Sequence, residues 1–207
     1  LDVIEKNVFS KTSIENISIP SKLTQIGENA FYDCRNLQTV EISKDSELQS
    51  IKENAFSNTL IKSIIIPSNL TKIGESAFSY CKELINVDFL SPSKLRSIEK
   101  SAFSSSSIEK ISIPSNVSLI EEQTFSSCKK LKNVTFDMNS QLRSINNSLF
   151  ECTALESIVI PQHVTYIGEK AFCNCGQLKK VEFSTDSNLQ LIQKYAFSNS
   201  SIEFLSI

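Results

Sequence analysis

The sequence has few of the residues from which catalytic sites are most often built. It contains one histidine, His163, and only four glycines in 207 residues. A Ser-His-Asp or Cys-His arrangement would have to use that histidine, and no nucleophile elbow accompanies it. Four glycines leave little material for a Gly-rich phosphate loop, and the sequence contains none. We therefore expect no enzymatic activity, no cofactor and no bound metal.

The sequence also lacks a strong charge imbalance and a long apolar run. Its 21 Lys and Arg residues nearly balance 23 Asp and Glu residues, which leaves a formal net charge of −2. A charge of this size gives no case for nucleic-acid binding, and the interspersed signs are typical of solvated faces. Because no stretch of about 18 apolar residues occurs, we expect no membrane insertion by this chain.

The most regular feature of the sequence is a series of nine phenylalanines, each five residues after an isoleucine. They stand at positions 9, 31, 56, 78, 103, 125, 150, 172 and 197, at intervals that alternate between 22 and 25 residues. A period this regular predicts a solenoid of stacked units, in which these rings fill the interior. We expect one solenoid over residues 1–207, and a fragment of a longer array because both ends fall partway through a unit.

A second series of positions predicts the strands. Apolar and polar residues alternate around positions 17, 40, 64, 87, 111, 134, 158, 181 and 205, as in Val40-Glu41-Ile42. The spacing alternates between 23 and 24 residues, so the turns absorb the unequal unit lengths. Strands that return at this interval must be parallel and about 4.8 Å apart, and nine of them form a sheet about 38 Å long.

The segment between two strands has a different period. Ala30, Phe31 and Cys34 stand at i, i+1 and i+4, which predicts a short helical turn. Gly27 precedes this turn, and glycine recurs at the equivalent position in two other units, which suggests a backbone with positive φ. Glu121 replaces the glycine in one unit.

These motifs resemble the BspA type of leucine-rich repeat. The match lies in Ile17-x-Ile19-Pro20, Leu23-Thr-x-Ile26-Gly27 and Ala30-Phe31-x-x-Cys34, and it recurs in every unit. The resemblance implies an α/β fold: a right-handed solenoid with a nine-stranded parallel sheet on its concave side and short helical turns on its convex side. Proteins of this class are typically surface-exposed in mucosal bacteria and protists and look like adhesins, so the resemblance also implies a cell-surface or secreted location.

Most of the six cysteines are expected to be buried free thiols. Four recur every 47 residues: Cys34, Cys81, Cys128 and Cys175. They are two units and thus about 10 Å apart, whereas a disulfide needs Cα atoms within about 7 Å. Cys152 stands three residues before Leu155, as Cys128 stands before Leu131 and Cys175 before Leu178. This alignment places three thiols at one position in successive units, which leaves a strained disulfide or a metal contact open among them. Cys173 is expected to be exposed.

The outward residues of the predicted strands vary freely between units, whereas the inward residues hardly vary. Apolar points in a polar field suit a protein partner better than a small molecule. The predicted partner site on the concave sheet comprises Ile65, Ile85, Asn86, Asp88, Lys110, Ser112, Val159, Lys180 and Glu182. Asn69 and Asn116 begin sequons at one turn position and are candidates for glycosylation.

We therefore expect a non-enzymatic protein-binding module of a cell-surface or secreted protein, acting as an adhesin for a host cell-surface or matrix protein. The alternative is an intracellular scaffold for protein assembly. An export signal or a membrane anchor in the parent protein would favour the first interpretation.

Overall fold

The computed structural model describes residues 1–206, so that Ile207 of the predicted solenoid lies outside the described residues. Each repeat unit forms one coil with a short strand of two residues and a long strand, mostly of four residues. The short strands are β1 (Val3–Ile4), β3 (Gln25–Ile26), β5 (Ser50–Ile51), β7 (Lys72–Ile73), β9 (Ser97–Ile98), β11 (Leu119–Ile120), β13 (Ser144–Ile145), β15 (Tyr166–Ile167) and β17 (Leu191–Ile192). The long strands are β2 (Asn16–Ile19), β4 (Thr39–Ile42), β6 (Ser63–Ile66), β8 (Asn86–Phe89), β10 (Lys110–Ile113), β12 (Asn133–Phe136), β14 (Ser157–Ile160), β16 (Lys180–Phe183) and β18 (Phe204–Ser206).

The long strands pair in parallel, in the register that the spacing predicts. Val40 lies opposite Ile17, and Val181 lies opposite both Ile158 and Leu205. Their ladder is not continuous, however: within residues 1–206 it comprises the pairs β2–β4, β6–β8 and β10–β12 and the trio β14–β16–β18. The short strands form a six-stranded parallel ladder from β1 to β11 and a three-stranded one from β13 to β17. The predicted single nine-stranded sheet is thus divided into several ladders.

The predicted α/β fold with helical turns is wrong, because residues 1–206 contain no helix and form a parallel β-solenoid of about nine turns. The segment around Phe31 shows the physical reason. Alternate N–H groups leave their own coil, so that Phe31 donates to the carbonyl oxygen of Ala55 at 2.8 Å, and Asn29 to that of Glu53 at 2.9 Å. The intervening N–H groups close tight turns, as Ala30 does on Gly27 at 3.2 Å. A helix would need every N–H group to bond within its own segment.

Left-handed backbone conformations recur with the same period as the phenylalanines. The residues two before and two after Phe31, Asn29 and Asp33, have φ of 53° and 58°. The same two positions have positive φ around every one of the nine phenylalanines, and none of these residues is a glycine. Each of these residues is the third residue of a four-residue turn, of the type in which that residue has positive φ. These turns let successive N–H groups point alternately along the chain and toward the next coil.

The repeated glycines serve close packing between coils. The predicted positive φ is wrong, because no glycine of the chain has one. A Cβ atom on Gly74 would instead lie 2.6 Å from the carbonyl carbon of Lys52 and 2.8 Å from the nitrogen of Glu53, both in the preceding coil. Gly27 and Gly168 approach the backbone of their preceding coils as closely. Glycine at these three positions leaves no Cβ to collide with the preceding coil, whereas the equivalent position of another unit is occupied by Glu121, whose N–H group donates to the Ile98 carbonyl oxygen at 2.9 Å.

The interior contains a column of stacked aromatic rings. Successive phenylalanine rings from Phe9 to Phe197 lie 5.1–5.7 Å apart, with angles of 0–19° between their planes. The rings from Phe31 to Phe172 are completely buried. These distances are typical of offset stacked rings. The column makes the coils a rigid support for the residues that face outward.

Candidate functional site

The outward residues of the long strands form a surface that we call the long-strand face. Strand β6 shows the alternation that produces it: Ile64 and Ile66 are buried, whereas Ser63 and Ile65 are exposed. Strands β4, β10 and β14 show the same pattern. Because the inward residues are fixed by packing, the chemistry of this face depends on the exposed positions alone.

One concavity of the long-strand face lies where β8, β10 and β12 end. Its volume is about 590 Å³, within the range of typical ligand pockets. We call it the central groove. Four residues of the predicted partner site line it: Asn86, Asp88, Lys110 and Ser112. Pro92, Thr135, Asp137 and the predicted glycosylation site Asn116 are among its other lining residues.

The charged residues of the central groove have no ionic partner. Within residues 1–206, none of Asp88, Lys110 and Asp137 lies within 4.0 Å of an oppositely charged group. Ser112, by contrast, shares a hydrogen bond of 2.8 Å with Thr135. The groove therefore combines a paired hydroxyl couple with two carboxylates and one ammonium group that are free to bind an external group.

The structure does not bring the whole predicted site together. Ile65 lies beside the central groove, opposite Asp88 in the neighbouring strand, and its side chain is 46% exposed. Ile85 is half-buried and stands before β8, with its N–H group bonded to the carbonyl oxygen of Lys62. This register places Ile85 three residues from the level of Ile65, or about 10 Å along the strand. The two isoleucines therefore form no shared patch.

The remaining predicted site residues lie toward the C-terminal coils. Val159 is 51% exposed and lines a second groove of about 550 Å³. Lys180 and Glu182 form an ion pair of 2.9 Å, and the Lys180 ammonium also lies 5.8 Å from the centre of the Phe204 ring. These two charges already have partners, which makes them less available to a ligand than Asp88 and Lys110.

Sequence reasoning missed the residues that follow the long strands. Asp137 and Met138 come directly after β12, and the Met138 side chain is 94% exposed in the second groove. The signal that could have found them is the longer loop of alternate units, because it extends past the strand ends beside both grooves. His163 is exposed and also lines the second groove.

The two predicted glycosylation sites lie in turns whose asparagine side chains form hydrogen bonds with the preceding coil. The Asn69 Nδ2 donates to the carbonyl oxygen of Ser46 at 2.9 Å, and its Oδ1 accepts from Lys94 Nζ at 2.9 Å. The Asn116 Nδ2 donates to the carbonyl oxygen of Ser93 at 2.6 Å. Asn116 is exposed and Asn69 is half-buried. Glycosylation stays a prediction at both.

The cysteine column differs from the predicted one. The Cys175 thiol donates to the carbonyl oxygen of Phe150 at 3.0 Å, and Thr153, not Cys152, occupies the column position beside it, 3.2 Å from the sulfur. Cys152 stands on the outer turn, where its N–H group bonds the carbonyl oxygen of Cys173. The expected exposure of Cys173 is wrong, since its side chain is buried. All six cysteines are free, which confirms the prediction of mainly buried free thiols.

Thiol titration should separate Cys152 from the other five cysteines. Burial raises the pKa of the Cys81 and Cys128 thiols to about 11, and it also raises the pKa of Cys175 and Cys173. The thiolate is the reactive form, and Cys34 is completely buried. We therefore expect Cys152, the one cysteine that is not buried, to be the single fast-reacting thiol of the native protein. Denaturant without reductant should expose all six.

The matched variant for this titration is Cys152→Ser, which should remove the fast phase. A fast phase that survives this substitution, or fewer than six thiols in denaturant, would contradict the assignment of buried and accessible cysteines.

Two further classes of site are not found in the described part of the chain. Residues 1–206 contain no group of three or more His, Cys, Asp or Glu side chains placed to hold a metal ion. They also contain no helix long and apolar enough to cross a bilayer.

The solenoid can now be compared with known proteins. A family model described as the BspA type leucine-rich repeat region matches residues 2–132 and 96–207, with six copies. The chain belongs to the BspA-type leucine-rich repeat family. The resemblance inferred from the repeat motifs is thereby confirmed. No curated protein matches the chain.

Several solved structures share this BspA-type solenoid. The pneumococcal vaccine antigen PcpA is 22% identical with a TM-score of 0.69, over 90% of this chain and 57% of the antigen. A leucine-rich repeat protein from Bacteroides ovatus is 21% identical with a TM-score of 0.64, over 97% of this chain and 69% of that one. A leucine-rich cell surface protein from Faecalibacterium prausnitzii is 23% identical with a TM-score of 0.56, over 96% and 74%. At these identities the similarity shows the fold alone.

Proposed function

We propose that this BspA-type solenoid is a non-enzymatic protein-binding module of a cell-surface or secreted protein, and that it acts as an adhesin for a host cell-surface or matrix protein. The observation that carries the proposal is the central groove, where Asp88 and Lys110 face outward without ionic partners on a rigid stack of coils. A vaccine antigen and a leucine-rich cell surface protein among the similar structures support the location.

The proposed contact surface is the central groove together with Ile65. An exposed isoleucine beside the free charges of Asp88 and Lys110 provides an apolar anchor within a polar rim, which is the usual composition of a protein interface. The two charges have opposite signs and stand in adjacent coils, so they favour a partner segment that carries complementary charges in one orientation. The groove therefore favours a protein partner by the arrangement of its charges and its apolar anchor, and not by net charge alone.

The proposed absence of catalysis rests on the composition of both grooves on the long-strand face. The central groove contains no histidine or cysteine in its described lining. The second groove contains His163, with Ser157 and Ser140 in the same lining. His163 stands in an exposed turn, and no hydrogen bond joins its ring to a serine or carboxylate within residues 1–206. In Ser-His-Asp sites the histidine is oriented by a third group, and the lack of such a group at His163 among the described residues supports the proposal.

A charge-reversing variant tests the proposed contact surface. The triple variant Asp88→Lys, Lys110→Glu and Ile65→Ser keeps the net charge but reverses these two free charges and removes the apolar anchor. We expect adhesion to a panel of host cells and immobilised matrix proteins to fall at least about tenfold, because such central anchors carry most of the binding energy. Circular dichroism should be unchanged.

The matched control is Lys44→Glu, Asp45→Lys and Leu119→Ser. It reverses two other exposed charges and removes an exposed leucine in place of the isoleucine. These residues lie outside the central groove, so the control should bind like the unmodified chain. Unchanged adhesion of the folded triple variant would show that the central groove is not the contact surface.

Surface labelling of intact cells tests the proposed cell-surface location. A chain found only inside cells would overturn that location and favour the intracellular scaffold.

A further inference from the structure

A third groove lies away from the long-strand face, on the turns that carry the phenylalanines. It crosses the coils of Phe31, Phe56 and Phe78 and has a volume of about 560 Å³. We call it the turn groove. Its lining consists of three asparagines, three serines and two tyrosines: Asn29, Asn54, Asn58, Ser57, Ser76, Ser79, Tyr32 and Tyr80. Among the described residues, no charged or aliphatic side chain lines it.

The floor of the turn groove contains hydroxyl groups that lack partners. The Ser57 and Ser79 side chains are only 5% and 4% exposed. They occupy one position in adjacent coils, one residue after Phe56 and Phe78, and therefore lie about 5 Å apart. Neither hydroxyl forms a hydrogen bond with any residue from 1 to 206, and both line the groove. Because no polar side-chain atom of the described residues is fully buried without a partner, both hydroxyls reach solvent through the groove and are open to a ligand.

The asparagines present carbonyl oxygens in fixed positions. Asn29 Nδ2 donates to the Glu28 carboxylate at 3.1 Å, and Asn54 Nδ2 donates to the Glu53 carboxylate at 3.3 Å. Both asparagines have positive φ, at 53° and 51°, and asparagine adopts this conformation more readily than most residues. Each amide nitrogen is thus paired with a neighbouring carboxylate, as the Asn58 Nδ2 is with Asp33, and one N–H of each remains for a ligand. The Oδ1 atoms accept no hydrogen bond within the described chain.

Tyr80 is placed against the local backbone preference. It is 54% exposed and has φ of 59°, a conformation that bulky residues rarely adopt. The residues at this position in the other eight coils are all non-aromatic: Lys11, Asp33, Asn58, Ser105, Ser127, Cys152, Asn174 and Asn199. The repeated turn imposes this conformation in every coil, so what distinguishes this position of the turn groove is the exposed aromatic ring. Tyr32 stands two coils earlier, so aromatic rings bound the groove at both ends.

We propose that the turn groove binds a neutral oligosaccharide. Uncharged amide and hydroxyl groups can donate to and accept from the hydroxyl groups of a sugar, and the tyrosines offer flat apolar faces to its C–H groups while keeping a polar tip. The volume is that of a typical ligand site. A peptide is disfavoured because protein interfaces bury apolar anchors at their centre. Sulfated or phosphorylated sugars are disfavoured because no Lys or Arg lines the groove.

A glycan array that contains neutral and sulfated oligosaccharides tests this site on the whole chain. We expect retention of at least one neutral glycan, and at least about tenfold weaker retention for Tyr80→Ser. The matched control is Tyr195→Ser, because Tyr195 is 61% exposed with φ of 60° but lies outside the turn groove. The double variant Ser57→Ala and Ser79→Ala tests the floor without changing a strained residue, and it should also weaken retention.

Four results would overturn the proposal. They are retention of sulfated glycans alone, no retention of any neutral glycan, equal losses for Tyr80→Ser and Tyr195→Ser, and binding of a peptide in the turn groove in place of a sugar. The triple variant of the central groove should retain the glycan fully, so the two sites fail independently.

Discussion

Replacing Phe78 with alanine is expected to lower the free energy of unfolding by about 3–5 kcal/mol. The Phe78 ring is completely buried and lies 5.3 Å from both the Phe56 and the Phe103 ring. Alanine would leave a cavity between two coils that cannot close, because each backbone is bonded to its neighbours. Denaturant unfolding followed by circular dichroism measures the loss.

The control for this substitution is His163→Ala, which should change the free energy of unfolding by less than about 0.5 kcal/mol. His163 is exposed. If the histidine variant lost more stability than the phenylalanine variant, the assignment of interior and surface would be wrong.

Replacing Gly74 with alanine should destabilise the chain by about 1–3 kcal/mol, as overpacked side chains typically do. The new Cβ would meet the backbone of Lys52 and Glu53 at 2.6–2.8 Å, so the two coils would have to separate locally. Thermal or denaturant unfolding measures this cost.

Gly176 provides the control, because a Cβ at that position meets no atom within 4 Å. Gly176→Ala should therefore be close to neutral. Equal costs for the two glycine substitutions would show that loss of glycine flexibility, and not close approach between coils, determines the effect.

The repeat made the strand positions and the aromatic column predictable, but not the conformation of the turns. Ala30, Phe31 and Cys34 are spaced as on one face of a helix, and their burial is as the helical pattern requires. Their N–H groups, however, bond partly to the next coil, as Phe31 does to Ala55. Apolar spacing reports which side chains are buried. It does not report whether a backbone group bonds within its own segment or to a neighbour about 22–25 residues away.

The position of Cys152 shows a related difficulty. Alternate units have one residue fewer between the phenylalanine and the next inward residue, since Phe150 precedes Leu155 by five residues and Phe125 precedes Leu131 by six. Counting back from the leucine therefore shifts the alignment by one and exchanges Cys152 for Thr153. Counting forward from the phenylalanine gives the observed column, because the coil is fixed at its stacked ring.

The candidate site was predictable in part for similar reasons. Asn86, Asp88, Lys110 and Ser112 were identified because strand alternation determines which residues face outward, and they line one groove. Ile85 was included only because it is apolar, although its position before β8 leaves it half-buried. The contribution of Asp137 and Met138 depends on the course of the longer loop of alternate units: the repeat shows where this loop occurs, but not which of its residues line a groove.

The central claim is that a protein partner contacts the long-strand face at the central groove. Photo-cross-linking on whole cells tests it most directly, with a photoreactive residue placed at Ser112 in one chain and at Lys72, on the short strand β7, in another. The account predicts a partner adduct from position 112 and none from position 72. Adducts from position 72 alone would contradict it.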